Sequence, residues 1–194
     1  MRGMSRQWGA ALRMLLCCMV LLGVVYPLVI TAVAQTVVPG RANGSPVVHE
    51  GRVAGSALLG QDSPGAEWFQ PRPSHPGRSG EGSGGSNLSP LSPEQRGAVQ
   101  RRADELRREN PDAPGGIPAD ALTASASGLD PQISPEYARW QVPRVAAARG
   151  LPVAAVQGLV DAHVEGRSLG FLGQPRVNVL ELNIAVAQAH RHAG

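Results

Sequence analysis

MLLCCMVLLGVVYPLVITAVA, residues Met14–Ala34, is the stretch on which the fold turns. Its 21 residues include no Asp, Glu, Arg, Lys or His. As a helix they would extend roughly 31 Å, about the hydrocarbon thickness of a bilayer. The run therefore reads as a transmembrane helix, and Pro27 predicts a kink that a membrane span tolerates. Arg2, Arg6 and Arg13 precede it, and the next basic side chain, Arg41, lies well beyond. The positive-inside rule then makes residues 1–13 a basic cytoplasmic tail and exports residues 35–194. A cleaved signal peptide is the competing reading, because Ala32-Val33-Ala34 fits a small-residue exit. Signal cores run about 7–15 residues, however, and this one is longer. Both readings put the larger domain outside the cytoplasm, and the anchored one gives a single-pass protein of the cell inner or plasma membrane, in contact with lipid.

The net charge of +3 and the isoelectric point near 9.5 suggest a nucleic-acid partner, but their distribution excludes one. Three arginines before the span carry the whole excess; beyond it, fifteen arginines face fifteen acidic residues. A formally neutral domain has no net attraction for a phosphate backbone. Cys17 and Cys18 both lie inside the apolar run, where they act as small apolar residues. The exported domain therefore folds without disulfides or cysteine ligands.

After the span, Val37-Val38, Val47-Val48, Val53 and Leu58-Leu59 are short apolar clusters between glycines and prolines, a strand-like and turn-rich pattern. Asn43-Gly44 is a tight-turn signal. Residues 71–93 form a Gly/Ser/Pro-rich loop. Ser92, with Pro93 and Gln95 behind it, predicts a helix to about Glu109. Ser134 and Pro135 predict another that Pro143 interrupts and Gly150 ends. A third, from Pro152 to about Glu165, has Val153, Val156, Val160 and Val164 on one face, with Gly166 as its stop. A last helix from Asn178, with Glu181 completing its cap, competes with a strand over Val177–Leu182. The fold class is a single N-terminal transmembrane helix followed by one α+β extracytoplasmic domain.

Chemistry-bearing patterns are sparse. Gly80-x-Gly82-x-x-Gly85 matches the dinucleotide fingerprint, but its proline flanks deny it the strand and helix that hold pyrophosphate. Gly166-Arg167-Ser168-Leu169-Gly170 matches the nucleophile elbow, which needs a strand before it and a helix after it. Ser168 is thus the candidate nucleophile of an exported serine hydrolase, the alternative to a binding module. His49, His75, His163, His190 and His192 show no paired metal spacing in a stable element, so no metal site is expected; His163 reads as a hydrogen-bonded structural residue.

The order of several short motifs resembles the C subunit of the Kdp-type potassium-transporting P-type ATPase. They are Tyr26-Pro27-Leu28, Asn43-Gly44-Ser45, Gly55-Ser56-x-Leu58-Leu59-Gly60-Gln61, Arg72-Pro73-Ser74, Gly84-Gly85-Ser86-Asn87-Leu88, the loop Thr123–Pro135, Gln141–Val145 and Gly170–Asn183. Trp68-Phe69-Gln70-Pro71 departs from the family's more usual Tyr-Phe-x-Gly. The resemblance implies a non-catalytic accessory subunit of a high-affinity potassium importer. Its partners would be a channel-like potassium-binding subunit and a P-type ATPase subunit, and the complex would use ATP, magnesium and potassium. It also implies nucleotide binding near Gln141 and Arg144. The charge-based topology puts both residues outside the cytoplasm and favours a structural alternative, with helix packing around Pro143 and Arg144 paired to an acid. Under the same resemblance the span is a contact surface, with Gly23, Thr31 and Ala32 beside Tyr26-Pro27 as the places of close helix approach.

Overall fold

The computed structural model describes residues 2–75, 77–78 and 80–193, without the side chains of residues 2, 3, 5, 192 and 193; the pairing of His190 with His192 falls outside that description. It divides into two compact units, Met1–Pro46 and Val47–Gly194. Where the sequence suggests a boundary after residue 34, the contacts place residues 35–46 with the helix.

In the first unit, α1 (Arg2–Val20), a π-helical turn (Leu21–Val25) and α2 (Tyr26–Val37) follow one another without a gap. The 32 residues Arg6–Val37 are long and apolar enough to cross a membrane. Leu15, Leu22 and Leu28 are each more than half exposed. Pro27 supplies no N–H, and its ring would press on the Gly23 carbonyl one turn earlier. A widened π turn just before it accommodates both effects. Beyond the helix comes α3 (Pro39–Ala42), and Asn43 exchanges two amide hydrogen bonds with Gln35, at 3.0 and 3.1 Å. Asn43-Gly44 is a turn, as expected, but it closes α3. The hairpin turn, which belongs to the second unit, is Glu50-Gly51, both at positive φ, between β1 (Pro46–His49) and β2 (Arg52–Ser56).

The second unit is mixed helix and sheet. Its helices are α4 (Pro93–Glu109), α5 (Ala119–Leu122), α6 (Pro135–Arg149), α7 (Val153–Ala162) and α8 (Val179–Ala193). Strands β3 (Gln132–Ile133), β4 (Val164–Glu165) and β5 (Arg176–Asn178) form an antiparallel sheet in the order β3-β5-β4. Caps sit where the sequence puts them. Ser92 Oγ accepts from the Gln95 N–H at 3.1 Å, and Ser134 Oγ from the Tyr137 N–H at 3.0 Å. Gly150 ends α6 in the left-handed conformation.

Three expectations are corrected. Pro143 does not interrupt α6; its flanks Val142, Val145 and Ala146 are all buried, and packing on both sides of the proline outweighs one lost backbone bond. The third helix stops at Ala162, because Val164 pairs with Val177 of β5 and leaves the valine stripe. Val153, at its other end, is exposed. At Asn178 strand and helix both occur. Residues 176–178 complete the sheet, and the Asn178 Oδ1 then accepts from the Leu180 and Glu181 N–H groups to start α8.

The core joins Tyr137, Trp140, Val142 and Val145 of α6 to Val156 and Val160 of α7, Leu182 and Val186 of α8, Ile133 and Val177 of the sheet, and Phe69 from an irregular segment. The Gly/Ser/Pro loop is irregular but tied down. The Gly84 N–H donates to the Ser127 carbonyl at 2.8 Å, and the Ser125 N–H to the Pro73 carbonyl at 2.9 Å.

Candidate functional site

Gln141 and Arg144 are one helical turn apart on α6 and therefore share a face. That face holds segment 65–70, a turn over 65–68 running into irregular chain, with no helix or strand. Gln141 is 1% exposed. Its Oε1 accepts from the Gln70 N–H at 2.7 Å and from Arg144 Nη2 at 2.7 Å, while its Nε2 donates to the Gln70 carbonyl at 3.1 Å. One residue earlier, buried Asn183 of α8 does the same for Phe69: Oδ1 accepts from the N–H at 2.8 Å and Nδ2 donates to the carbonyl at 3.0 Å. Two side-chain amides thus replace the neighbouring strands that this segment lacks.

Arg144 extends the grip. Its Nε donates to Asn110 Oδ1 at 2.7 Å, and its Nη1 to the carbonyls of Ala66 at 2.5 Å and Trp68 at 3.0 Å. The expected acid partner is replaced by neutral oxygens. Burial lowers the Arg144 pKa, yet a guanidinium stays charged at any physiological pH, so the carbonyl dipoles are its compensation. Arg149 completes the set: its guanidinium carbon lies 4.0 Å from the centre of the Trp68 ring, and its Nε donates to the Glu67 carbonyl at 3.0 Å.

Beside this segment lies a cleft of about 620 Å³ lined in part by Arg78, Arg102, Glu105, Glu109, Tyr137 and Arg144. Its cations are engaged within the fold. Arg78 pairs with Asp62 and donates to the Arg72 carbonyl, and Arg102 donates to the Leu122 carbonyl at 2.8 Å. Burial pushes the Tyr137 phenol well up, with Arg144 opposing the shift, so it is neutral at physiological pH. Tested against a nucleotide, the two residues fit poorly. Both lone pairs of the Gln141 oxygen are occupied, and each nitrogen of Arg144 already donates inside the fold.

The other candidates stand apart. Ser168 is exposed on a tight turn that runs into Gly170 and Gly173, and no helix begins before Val179, so the elbow geometry does not form. Gly80–Gly85 leads into more loop, with the next helix at Pro93. His163 Nδ1 lies 2.8 Å from the Leu159 carbonyl, a structural contact as expected, and His190 Nδ1 lies 2.9 Å from that of Arg149. Among the described residues no group of three or more His, Cys, Asp and Glu side chains could hold a metal ion. Sequence reading passed over Asn183, Asn110 and Arg149 as parts of the site. The available signal was an amide inside an apolar run, Trp140-Gln141-Val142 and Leu182-Asn183-Ile184.

The family model described as KdpC, K+-transporting ATPase, c chain, matches residues 8–188. A potassium-transporting ATPase KdpC subunit of Nitratidesulfovibrio vulgaris is 56% identical over 164 residues, covering 83% of each chain. That of Myxococcus xanthus is 54% identical over 91% of this chain and 85% of its own. That of Kineococcus radiotolerans is 50% identical over 95% and 94%.

Proposed function

This chain belongs to the KdpC family of potassium-transporting ATPase subunits, and from that premise we propose that it is a non-catalytic accessory subunit that stabilises assembly of an ATP-driven potassium importer. Its partners in this reading are a channel-like potassium-binding subunit and a P-type ATPase subunit. ATP, magnesium and potassium are handled by the complex and not by this chain. The observation that carries the reading is the Arg6–Val37 helix, apolar and exposed along its length. Such a helix is stable only in lipid or against other membrane helices. The arginine distribution supports a cytoplasmic N-terminus, a single span and an extracytoplasmic domain.

Gln141 and Arg144 take a structural part in this reading: they fasten segment 65–70 to α6. The compartment supports that assignment too, since the pump's ATP is cytoplasmic.

The test is affinity purification of the tagged full chain from native membranes, beside a chain lacking residues 14–34. The intact chain should bring down two larger membrane proteins with potassium-stimulated ATPase activity, and the deletion should lose both. An isolated chain that hydrolyses a small ester through Ser168, with no partner present, would overturn the proposal.

A further inference from the structure

The first turns of the membrane helix carry charge that their own unit leaves unbalanced. The unit Met1–Pro46 contains Arg2, Arg6, Arg13 and Arg41 and no Asp or Glu. Arg6, Gly9 and Arg13 follow one another at spacings of three and four in α1, which puts them on one helix face. Both of these arginines are exposed. A Cβ at Gly9 would lie 3.9 Å from Arg13 Nη1, so the Arg13 side chain folds back one turn and lies over the glycine. That direction carries its charge away from the apolar run, as an arginine at the edge of hydrocarbon does when it reaches for the headgroups.

The apolar run begins at Met14. At the helical rise Gly9 stands about 7 Å outside it, at the depth of lipid headgroups. Trp8 is exposed at the same depth, where an indole's apolar body and its N–H both find partners. Lacking a side chain, Gly9 leaves a notch between two guanidiniums, and a guanidinium matches a phosphate with paired N–H donors. A choline headgroup would set its own cation against the two arginines, whereas a net-anionic one brings the missing counter-charge. We propose that Arg6, Gly9 and Arg13 form a site for the headgroup phosphate of an anionic phospholipid in the cytoplasmic leaflet. The proposal rests on the reading of Arg6–Val37 as a membrane span with a cytoplasmic N-terminus.

The experiment reconstitutes the full chain into phosphatidylcholine bilayers. Electron spin resonance then compares the fraction of spin-labelled phosphatidylglycerol immobilised by the chain with that of spin-labelled phosphatidylcholine. The wild-type chain should hold phosphatidylglycerol in preference, and Arg6→Gln and Arg13→Gln should each lower that preference by up to about fivefold. Gly9→Leu keeps every charge and fills the notch, so it should lower the preference as well; circular dichroism checks that each variant keeps its helix. No preference in the wild-type chain, or one that the two arginine variants leave unmoved, would overturn the site. A preference that survives Gly9→Leu would overturn it too, by reducing it to diffuse attraction between charges. A wild-type chain that does not enter the bilayer removes the span reading itself; one that enters without preference removes only the site.

Discussion

Gln141 makes to Gln70 both hydrogen bonds that a neighbouring β-strand would make, accepting from its N–H at 2.7 Å and donating to its carbonyl at 3.1 Å. Asn183 repeats the arrangement on Phe69, so two helices hold consecutive peptide units of one irregular segment. Phe69 is fully buried between them. The segment thereby satisfies its backbone inside the core without belonging to a sheet.

Removing the Gln141 amide should be expensive. Gln141→Leu strands the Gln70 N–H and carbonyl and deprives Arg144 of a partner, costing about 2–4 kcal/mol. Gln141→Glu keeps the acceptor and loses the donor, and should fall between. Thermal or denaturant unfolding of the full chain in detergent checks the order. Equal stability of the Gln141→Leu variant and the wild-type chain would show that Gln70 finds other partners.

Asn183→Ala tests the matching half. It strands the Phe69 backbone groups and opens space beside a packed ring, so a loss of about 2–4 kcal/mol is expected. Amide hydrogen exchange should quicken at Phe69 and Gln70 before it does in α6. Uniform quickening would mean that the two amides do not act locally.

Gly60 carries a different constraint. Its N–H donates to the Leu129 carbonyl at 2.8 Å, and a Cβ there would lie 2.5 Å from the Asp130 carbonyl oxygen. Backbone cannot yield as a side-chain end can. Gly60→Ala should destabilise by about 1–3 kcal/mol by forcing the 123–135 loop outward. An unchanged melting temperature would count against this close approach.

What could be read in advance depended on whether the signal was local. Ser92 and Ser134 announce their helices because a cap is written in three or four neighbouring residues. The apolar run likewise announces its own span. Val164 misleads, because its helical spacing from Val160 is real while its partner Val177 is remote in sequence. Pro143 misleads for a related reason: the packing that carries α6 through it comes from α7, β5 and segment 65–70. The Gln141 clasp lay beyond local reading altogether, since its partner is 71 residues away. An amide embedded among apolar residues signals that a partner exists without saying which.

Tyr137 makes stability pH-dependent in a known direction. Burial raises its folded pKa, Asp120 and Glu109 add to the rise, and Arg144 and Arg78 oppose it. A raised folded pKa contributes stability that is full below the unfolded value of 10.0 and is lost as pH climbs toward the folded one. Unfolding measured between pH 8 and 12 should therefore show stability draining away from about pH 10. Tyr137→Phe should flatten that slope while leaving the neutral-pH profile shape unaltered. A slope that persists in the variant would assign it to other groups.

The π turn at Leu21–Val25 sets the rotational phase between α1 and α2. A proline in a helix interior costs about 3 kcal/mol in water, so Pro27→Ala should leave the isolated chain as helical or more so. Without Pro27 the turn before it can return to α geometry, and residues 2–20 would then present a different face relative to residues 26–37. If assembly depends on that phase, Pro27→Ala yields a well-folded chain that recovers less partner from membranes. Helix content by circular dichroism and partner yield by affinity purification separate the two effects. Undiminished yield at wild-type helix content would mean that the π turn only accommodates the proline and positions nothing.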